Sequence, residues 1–342
     1  MISQRAGSFT GGTSQFYTLD RWLAAVGSAF NFDVTVTQDN TVPSGAGFKH
    51  SLKVTSNSVK TPTGSENGGI SQRLEGQNLY RLNWGSSDAK DITLSFWVRS
   101  SKTGTYTIQL QQNVGSGGAT VYSHVREYTI SAADTWEKKT ITFSGNTVQA
   151  QTQSTGDGLR VNWWLSMGPD DNTTPNTWQQ NGSYLTTSNQ VNWMDTSGAT
   201  FYLTGCQLEE GDTATDFERL SEASMLSLCQ RYYQAYGRDA SAPFRINGAG
   251  NGGSDMLTGF MYPMEMRTTP TLNYFGGNVD GGNFNNYVNG SATSVTGPSS
   301  TDAGKYSVRW NFNGNGSFPN SAYWIDVGNG SNQFGWTMDA EL

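Results

Sequence analysis

The first two-thirds of the chain is a series of short runs in which apolar and polar residues alternate. In ITLSFWVRS (92–100), Ile92, Leu94, Phe96 and Val98 share one phase, and Thr93, Ser95, Trp97 and Arg99 share the other. Period two puts successive side chains on opposite faces of an extended strand, so such a run predicts a half-buried β-strand. The signal recurs in NFDVTVTQ (31–38), HSLKVTS (50–56), ISQRLEG (70–76), TYTIQLQQ (105–112), REYTISA (126–132), WEKKTITFS (136–144), LRVNWWLSM (159–167) and TFYLTGCQL (200–208). Turn-forming Gly, Asn, Asp and Ser separate these runs. Eight or more antiparallel strands with loops of varied length predict an all-β, two-sheet jelly-roll sandwich. Residues 1–16 are rich in Gly, Ser and Thr and predict an N-terminal arm or first edge strand.

The period changes in EASMLSLCQRYYQAY (222–236). At helical spacing, Leu226, Cys229 and Tyr233 form one stripe, and Met225, Leu228, Tyr232 and Tyr236 form the next. Ser221 is a suitable N-cap and Gly237 a suitable C′ residue. Two adjoining apolar stripes exceed what a surface helix needs. They predict contact with two surfaces, either both domains or copies of the same helix about a threefold axis. One amphipathic helix lying on the sandwich is the simpler alternative. Further strands are expected in FMYPMEMRTTPTLNYF (260–275), YSVRWNFNG (306–314) and SAYWIDVG (321–328). The expected organisation is a sandwich over 1–218, a connecting helix over 219–237, and a C-terminal small β-sandwich or β-domain over 238–342.

Composition fits this reading. Aromatics reach 12%, charged residues only 14%, and there are 41 glycines, the mixture of a β-protein whose sheet faces are aromatic and whose turns are uncharged. A net charge of -7 without a basic run argues against nucleic acid as partner. No apolar run approaches the length of a membrane-spanning helix, so no membrane insertion is expected. MISQRAGSFTGG lacks the apolar centre of a signal peptide, and the expectation is assembly in a bacterial cytoplasm. The two cysteines, Cys206 and Cys229, are expected to be free thiols acting as small apolar residues.

Catalytic chemistry has little support. His50 and His124 lie in no metal-ligand spacing, and no nucleophile elbow or phosphate-cradling loop occurs. The carboxylate clusters Asp170/Asp171 and Glu209/Glu210 are neighbours in sequence, which on a strand places them on opposite faces. Binding has more. Residues 157–195 set Trp163, Trp178, Tyr184 and Trp193 among amides and hydroxyls, and sugars offer C–H faces to aromatic rings and hydroxyls to amides. Parity separates Trp163 from Trp164, so at most one of them enters the core and the other faces outward. The 169–198 insert is long for a loop, which favours a functional role. The same tryptophans also suit packing or a subunit contact. In the C-terminal part, Tyr274, Phe275, Trp310, Tyr323, Trp324, Phe334 and Trp336 divide between the same readings.

QLEEGDTATDFER and LSLCQRYYQAYG, with QRAGSFTG and YTLDRW near the start, resemble segments of tailed-bacteriophage structural proteins, mostly tail fibres. There they bound a jelly roll similar to family 4/9 carbohydrate-binding modules. WTMDAEL and PMEMRTTPTL also resemble the C-terminal β-domain of such fibres. The resemblance implies a virion structural protein: a homotrimeric fibre or appendage subunit that joins other tail or capsid proteins and adheres to host surface glycans without being an enzyme. A head-decoration or adaptor role, a stand-alone carbohydrate-binding protein and a polysaccharide-degrading enzyme are the alternatives. It requires no cofactor, but jelly rolls of this type often hold a structural Ca2+, for which Asp20 and Asp212 are candidate ligands.

Overall fold

The computed structural model describes residues 1–5, 7–114, 120–236, 244–250, 255–275, 284–288, 291–314, 322–327 and 335–342. The chain divides into two units, Met1–Ser221 with Leu342, and Glu222–Glu341.

The first unit is an antiparallel β-sandwich. Its strands are β1 (Ser8–Thr10), β2 (Phe16–Tyr17), β3 (Trp22–Gly27), β4 (Val34–Asp39), β5 (Ser51–Ser56), β6 (Asn67–Glu75), β7 (Ile92–Ser100), β8 (Gly104–Val114), β9 (Thr120–Ile130), β10 (Glu137–Phe143), β11 (Asp157–Met167), β12 (Trp178–Gln179) and β13 (Thr200–Glu210). One sheet has the order β1-β4-β5-β13-β7-β10 and the other β12-β9-β8-β11-β6-β3-β2. Neighbours in these lists are mostly distant in sequence, as a jelly roll requires. The inward phases of the two sheets form one core that includes Leu94, Phe96 and Val98 from one side and Tyr106, Ile108, Leu110, Val161 and Trp163 from the other. Trp163 lies at its centre, its ring 5.5 Å from Trp22 and 5.8 Å from Phe96.

Burial departs from strict alternation in several strands, and in two of them the reason is plain. Trp22–Val26 and Val161–Ser166 are buried at every position, because the outer face of the seven-stranded sheet is itself covered there. Trp164 is therefore buried too, in a second small apolar cluster with Ala25 and Leu185 of the 169–198 insert. This corrects the expectation that one of the two neighbouring tryptophans faces outward.

β13 carries a bulge between Thr204 and Gln207, where Gly205 has φ +59°. A Cβ there would stand 2.5 Å from the Phe48 ring, so both conformation and space require glycine. Phe48 meets Phe217 edge-on at 5.0 Å, and the Arg219 guanidinium lies 5.2 Å above it. The chain after β13 is thereby tied back onto the sandwich.

The second unit opens with α1 (Glu222–Gln230), followed by β14 (Tyr233–Tyr236), β15 (Phe244–Gly250), β16 (Asp255–Met261), β17 (Thr271–Phe275), β18 (Phe284–Val288), β19 (Ser291–Ala303), β20 (Ser307–Gly314), β21 (Ala322–Val327) and β22 (Gly335–Asp339). Strands β15-β16-β20-β19-β18-β21 close into an antiparallel barrel, and β14-β22-β17 form a separate small sheet. The expected helix over 222–236 is thus corrected. It stops at Gln230, and Tyr233 and Tyr236 are strand residues paired with Asp339 and Trp336. Aromatics favour strands, and Tyr236 gains a stacked contact with Trp336 at 5.4 Å and an edge contact with Phe260 at 4.8 Å. The helix and this strand also belong to the second unit rather than forming a separate connector. Trp310 and Trp336 are core residues with rings 4.8 Å apart. Only strand backbone is described for Tyr274, Phe275, Tyr323 and Trp324, and Phe334 lies outside the described residues.

Candidate functional site

The aromatic set read from residues 157–195 does not come together as one surface. Trp163 is 1% exposed and Trp193 is 0% exposed, so neither can stack on a sugar; this corrects both assignments. Trp193 sits in a short turn started by the Asn192 side chain, which accepts from the Met194 amide, and its indole donates to the Thr200 carbonyl at 3.3 Å. Trp178 is half-buried on β12, pairing with His124 of β9. It donates to the Ser144 carbonyl at 2.7 Å and meets Trp84 and His124 edge-on, which makes it a cap over one edge of the core. Tyr184, like Trp178, keeps a half-exposed side chain, and its carbonyl is fixed, accepting from Gln109 at 3.0 Å.

His124 is a packing residue. Its ring lies against Phe143 and Trp178, and burial, aided by the Arg126 charge, pushes its pKa down to about 4. His50 is at the surface, hydrogen bonded to Asn40 at 2.9 Å.

The insert is held by a polar network on the outer face of the seven-stranded sheet. Gln109 donates to Ser123 at 2.8 Å and accepts from Asn162 at 2.8 Å and Trp164 at 3.3 Å. Gln190 accepts from the Thr107 amide and hydroxyl, both at 2.7 Å. Thr187 and Asn189 donate to Glu127.

Beside this covered region the register lays out a polar patch. Across β6, β11 and β8 one row reads Ser71, Asn162, Gln109, and the next reads Arg73, Arg160, Gln111. Glu75 pairs with Asp157 in the third row, and Asn113 follows two positions after Gln111 on the same face. Asp157 accepts from Arg160 at 2.6 Å and lies 3.7 Å from Arg73. Gln111 donates to Asn113 at 3.0 Å, and Gln77 donates to the buried Glu75 at 2.8 Å. Arg73 also donates to Gln15 and to the Leu342 carbonyl. Three groups are left over: the Ser71 hydroxyl, the Asn113 Nδ2 and the Asp157 Oδ1 are shielded from solvent without a partner among the described residues. Each such group costs about 1–3 kcal/mol unless something else bonds to it. Arg160 and Gln111 are half-exposed at the centre of the patch.

None of these residues stood out in the sequence reading. The available signal was parity: TYTIQLQQNV and LRVNWWLSM place Gln109, Gln111, Asn113, Arg160 and Asn162 opposite the core phase.

The proposed calcium ligands are not brought together. Asp20 precedes β3 and accepts from the Gln4 amide and side chain at 3.0 and 2.8 Å, and burial raises its pKa. Asp212 follows β13 in the other sheet, accepting from Thr213 through its carboxylate and from Thr142 through its carbonyl. Among the described residues no group of three or more His, Cys, Asp or Glu side chains is arranged to hold a metal. The carboxylate clusters serve local structure. Asp171 is buried beside Asn67, its pKa pushed up to about 6 by burial, and Glu209 accepts from Thr215 while Glu210 pairs with Lys90. Cys206 and Cys229 are not joined in a disulfide.

No family model matches the chain, and no curated protein matches it. Among solved structures, it is similar to the enzymatically active domain of tailspike protein 4 of bacteriophage CBA120, with 14% identity and a TM-score of 0.34 over 60% of this chain and 21% of that one. The CBM22-2 xylan-binding domain of Paenibacillus barcinonensis Xyn10C shows 15% identity and a TM-score of 0.33, over 56% of this chain and 93% of that one. A family 11 carbohydrate-binding module of Clostridium thermocellum shows 12% identity and a TM-score of 0.29, over 60% of this chain and 96% of that one. The sandwich assignment itself comes from the strand order and register of this chain.

Proposed function

We propose that the first unit binds glycans through the polar patch on its seven-stranded sheet, with Tyr184 at the border. The observation that carries this reading is the set of unpartnered buried groups, Ser71, Asn113 and Asp157, beside half-exposed Gln111 and Arg160. A hydroxyl-rich ligand both donates and accepts, so it can complete mixed donors and acceptors of this kind without bringing a net charge. Binding, rather than hydrolysis, is the proposed activity.

The phage-like segments 207–219 and 226–237 support a finer reading: a virion tail-fibre or appendage subunit, assembled in the host cytoplasm with other tail or capsid proteins. Its adhesion to host surface glycans would be multivalent, with weak contacts gaining avidity on a trimer. The trimer contact is assigned to α1, where Leu228 is 58% exposed and Met225, Leu226 and Cys229 are half-buried. Tyr232 and Tyr233, 8% and 4% exposed, leave that contact because they pack within their own unit, and Tyr236 leaves it because it is half-buried against Trp336.

The test is adsorption of the full chain to purified host surface polysaccharide. Arg160→Ala and Gln111→Ala should each weaken binding while leaving the melting temperature unchanged; undiminished binding in both would remove the patch. Light scattering that shows a monomer at micromolar concentration would remove the trimer.

A further inference from the structure

The outward phase of β7 carries a different surface. Trp97 and Arg99 project from the six-stranded sheet on the side away from the core. Across the strands, one row reads Lys53, Tyr202, Arg99, and the next reads Thr204, Trp97, Lys138. Trp136, the residue before β10, brings its ring to 6.0 Å from Tyr202. Three aromatic rings therefore occupy one patch of an outer sheet face.

Their environments differ. Tyr202 is 6% exposed, with the Arg99 guanidinium 4.9 Å and the Lys53 ammonium 5.5 Å from its ring centre. It is a pedestal. Trp97 and Trp136 stay half-exposed, Trp136 lying two residues before Lys138, the cross-strand partner of Trp97. Among the described residues the Trp97 indole donates to no protein group, and the Trp136 Nε1 is shielded from solvent without a partner. Neither ring belongs to the core. Two of the three cations in these rows are already paired: Lys53 lies 3.5 Å from Asp39, and Arg99 lies 3.0 Å from the Asp134 carboxylate while donating to its carbonyl, whereas Lys138 beside Trp97 is exposed.

We propose that this face is a second saccharide-binding surface, on which Trp97 and Trp136 stack a neutral, flat pyranose chain whose substituents are equatorial. Equatorial substitution leaves the C–H groups on the flat faces of the sugar, where they meet the ring π-clouds. A hydroxyl at the sugar's edge then reaches the Trp97 indole donor. The paired edge charges favour a neutral chain over a polyanion, which would have to compete with Asp39 and Asp134 for the same cations. The inference rests on the glycan-binding reading of the sandwich, but places this contact on the opposite sheet.

The probes are hydroxyethyl cellulose, a neutral β-linked glucan, and polygalacturonate, its charged counterpart. Both are offered to the full chain in affinity electrophoresis. Wild type should be retarded by the neutral polymer, and the Trp97→Ala/Trp136→Ala double variant should bind it about tenfold more weakly or worse. Trp97→Phe/Trp136→Phe should recover most of that loss, since a ring remains, and this separates stacking from damage to the fold. Full retardation of the Ala double variant overturns the second surface, as does preference for polygalacturonate. If Arg160→Ala loses host polysaccharide while the double variant binds everything normally, the first face stands and the second falls.

Discussion

The two outer faces of the sandwich carry tryptophan at similar positions and treat it in opposite ways. On the seven-stranded sheet Trp164 is covered by the 169–198 insert, donates to Gln109 and packs on Leu185. On the six-stranded sheet Trp97 lies between Thr204 and Lys138, and among the described residues no donor or acceptor is committed to its ring. Residue type is the same; coverage differs. The fate of an outward tryptophan is decided by whether a distant segment folds over it. The insert, read as a ligand loop, is largely a cover over the sheet, and the proposed contact surfaces are what it leaves bare.

The strongest way to break this comparison is to delete an inner ring. Trp163→Ala removes a fully buried indole from contact with Trp22 and Phe96, and should cost about 3–5 kcal/mol, read as a large loss of urea midpoint. A small loss would mean that the core does not close around Trp163.

Acid should act next, through the cap formed by Trp178 over His124. In the unfolded chain this histidine titrates near its ordinary value of 6.5, whereas in the fold it does so at about 4. Its neutral form is favoured by folding, so its contribution is complete above about pH 6.5 and falls away as pH drops towards 4. By pH 4.5 the loss is about 2–3 kcal/mol. Asp171, raised to about 6, works in the other direction: its contribution is complete below about pH 3.8 and is lost as pH rises through 6. Denaturation at pH 7 and 4.5 should therefore show that His124→Phe reduces the acid loss and Asp171→Asn removes an acid gain. Parallel pH profiles for wild type and His124→Phe would contradict the buried, neutral histidine.

A somewhat smaller effect is expected at the network beneath the insert. Gln109→Ala takes away the acceptor for Asn162 and Trp164 and the donor to Ser123 and Tyr184. Leaving those buried groups unpartnered should cost about 2 kcal/mol. Hydrogen exchange should rise at residues 181–190 and remain unchanged in β7. Unchanged exchange over the insert would show that the network does not hold it.

The strands were legible where the outer phase is polar, as in 92–100 and 105–112, even though Thr93, Ser95, Thr107 and Gln109 are themselves buried. Trp22–Gly27 was not, because a strand covered on both faces loses its alternation. The end of the helix was hidden for a related reason: Tyr232, Tyr233 and Tyr236 fit a helical stripe as well as they fit a strand, and only pairing with β22 decides between them. Cross-strand assembly also hid the polar patch. Arg160 and Gln111 are far apart in sequence, and nothing local to either predicts that β11 will lie against β8. Trp97 was visible by parity, opposite in phase to Leu94, Phe96 and Val98; its bareness was not, since that depends on where the insert goes.

The smallest effect is expected where the contrast with Trp163 is sharpest. Trp97→Ala removes a ring of the same size from the other side of the same sandwich. No core contact and no hydrogen bond leaves with it, so stability should change by no more than about 0.5 kcal/mol. The comparison is between two tryptophans in paired sheets, measured in the same urea titration. If Trp97→Ala costs several kcal/mol, the outer ring is structural and the aromatic face loses its claim as a contact surface. If it costs almost nothing, a large apolar side chain is being kept half-exposed without any return in stability, and ligand contact is the remaining physical use for it.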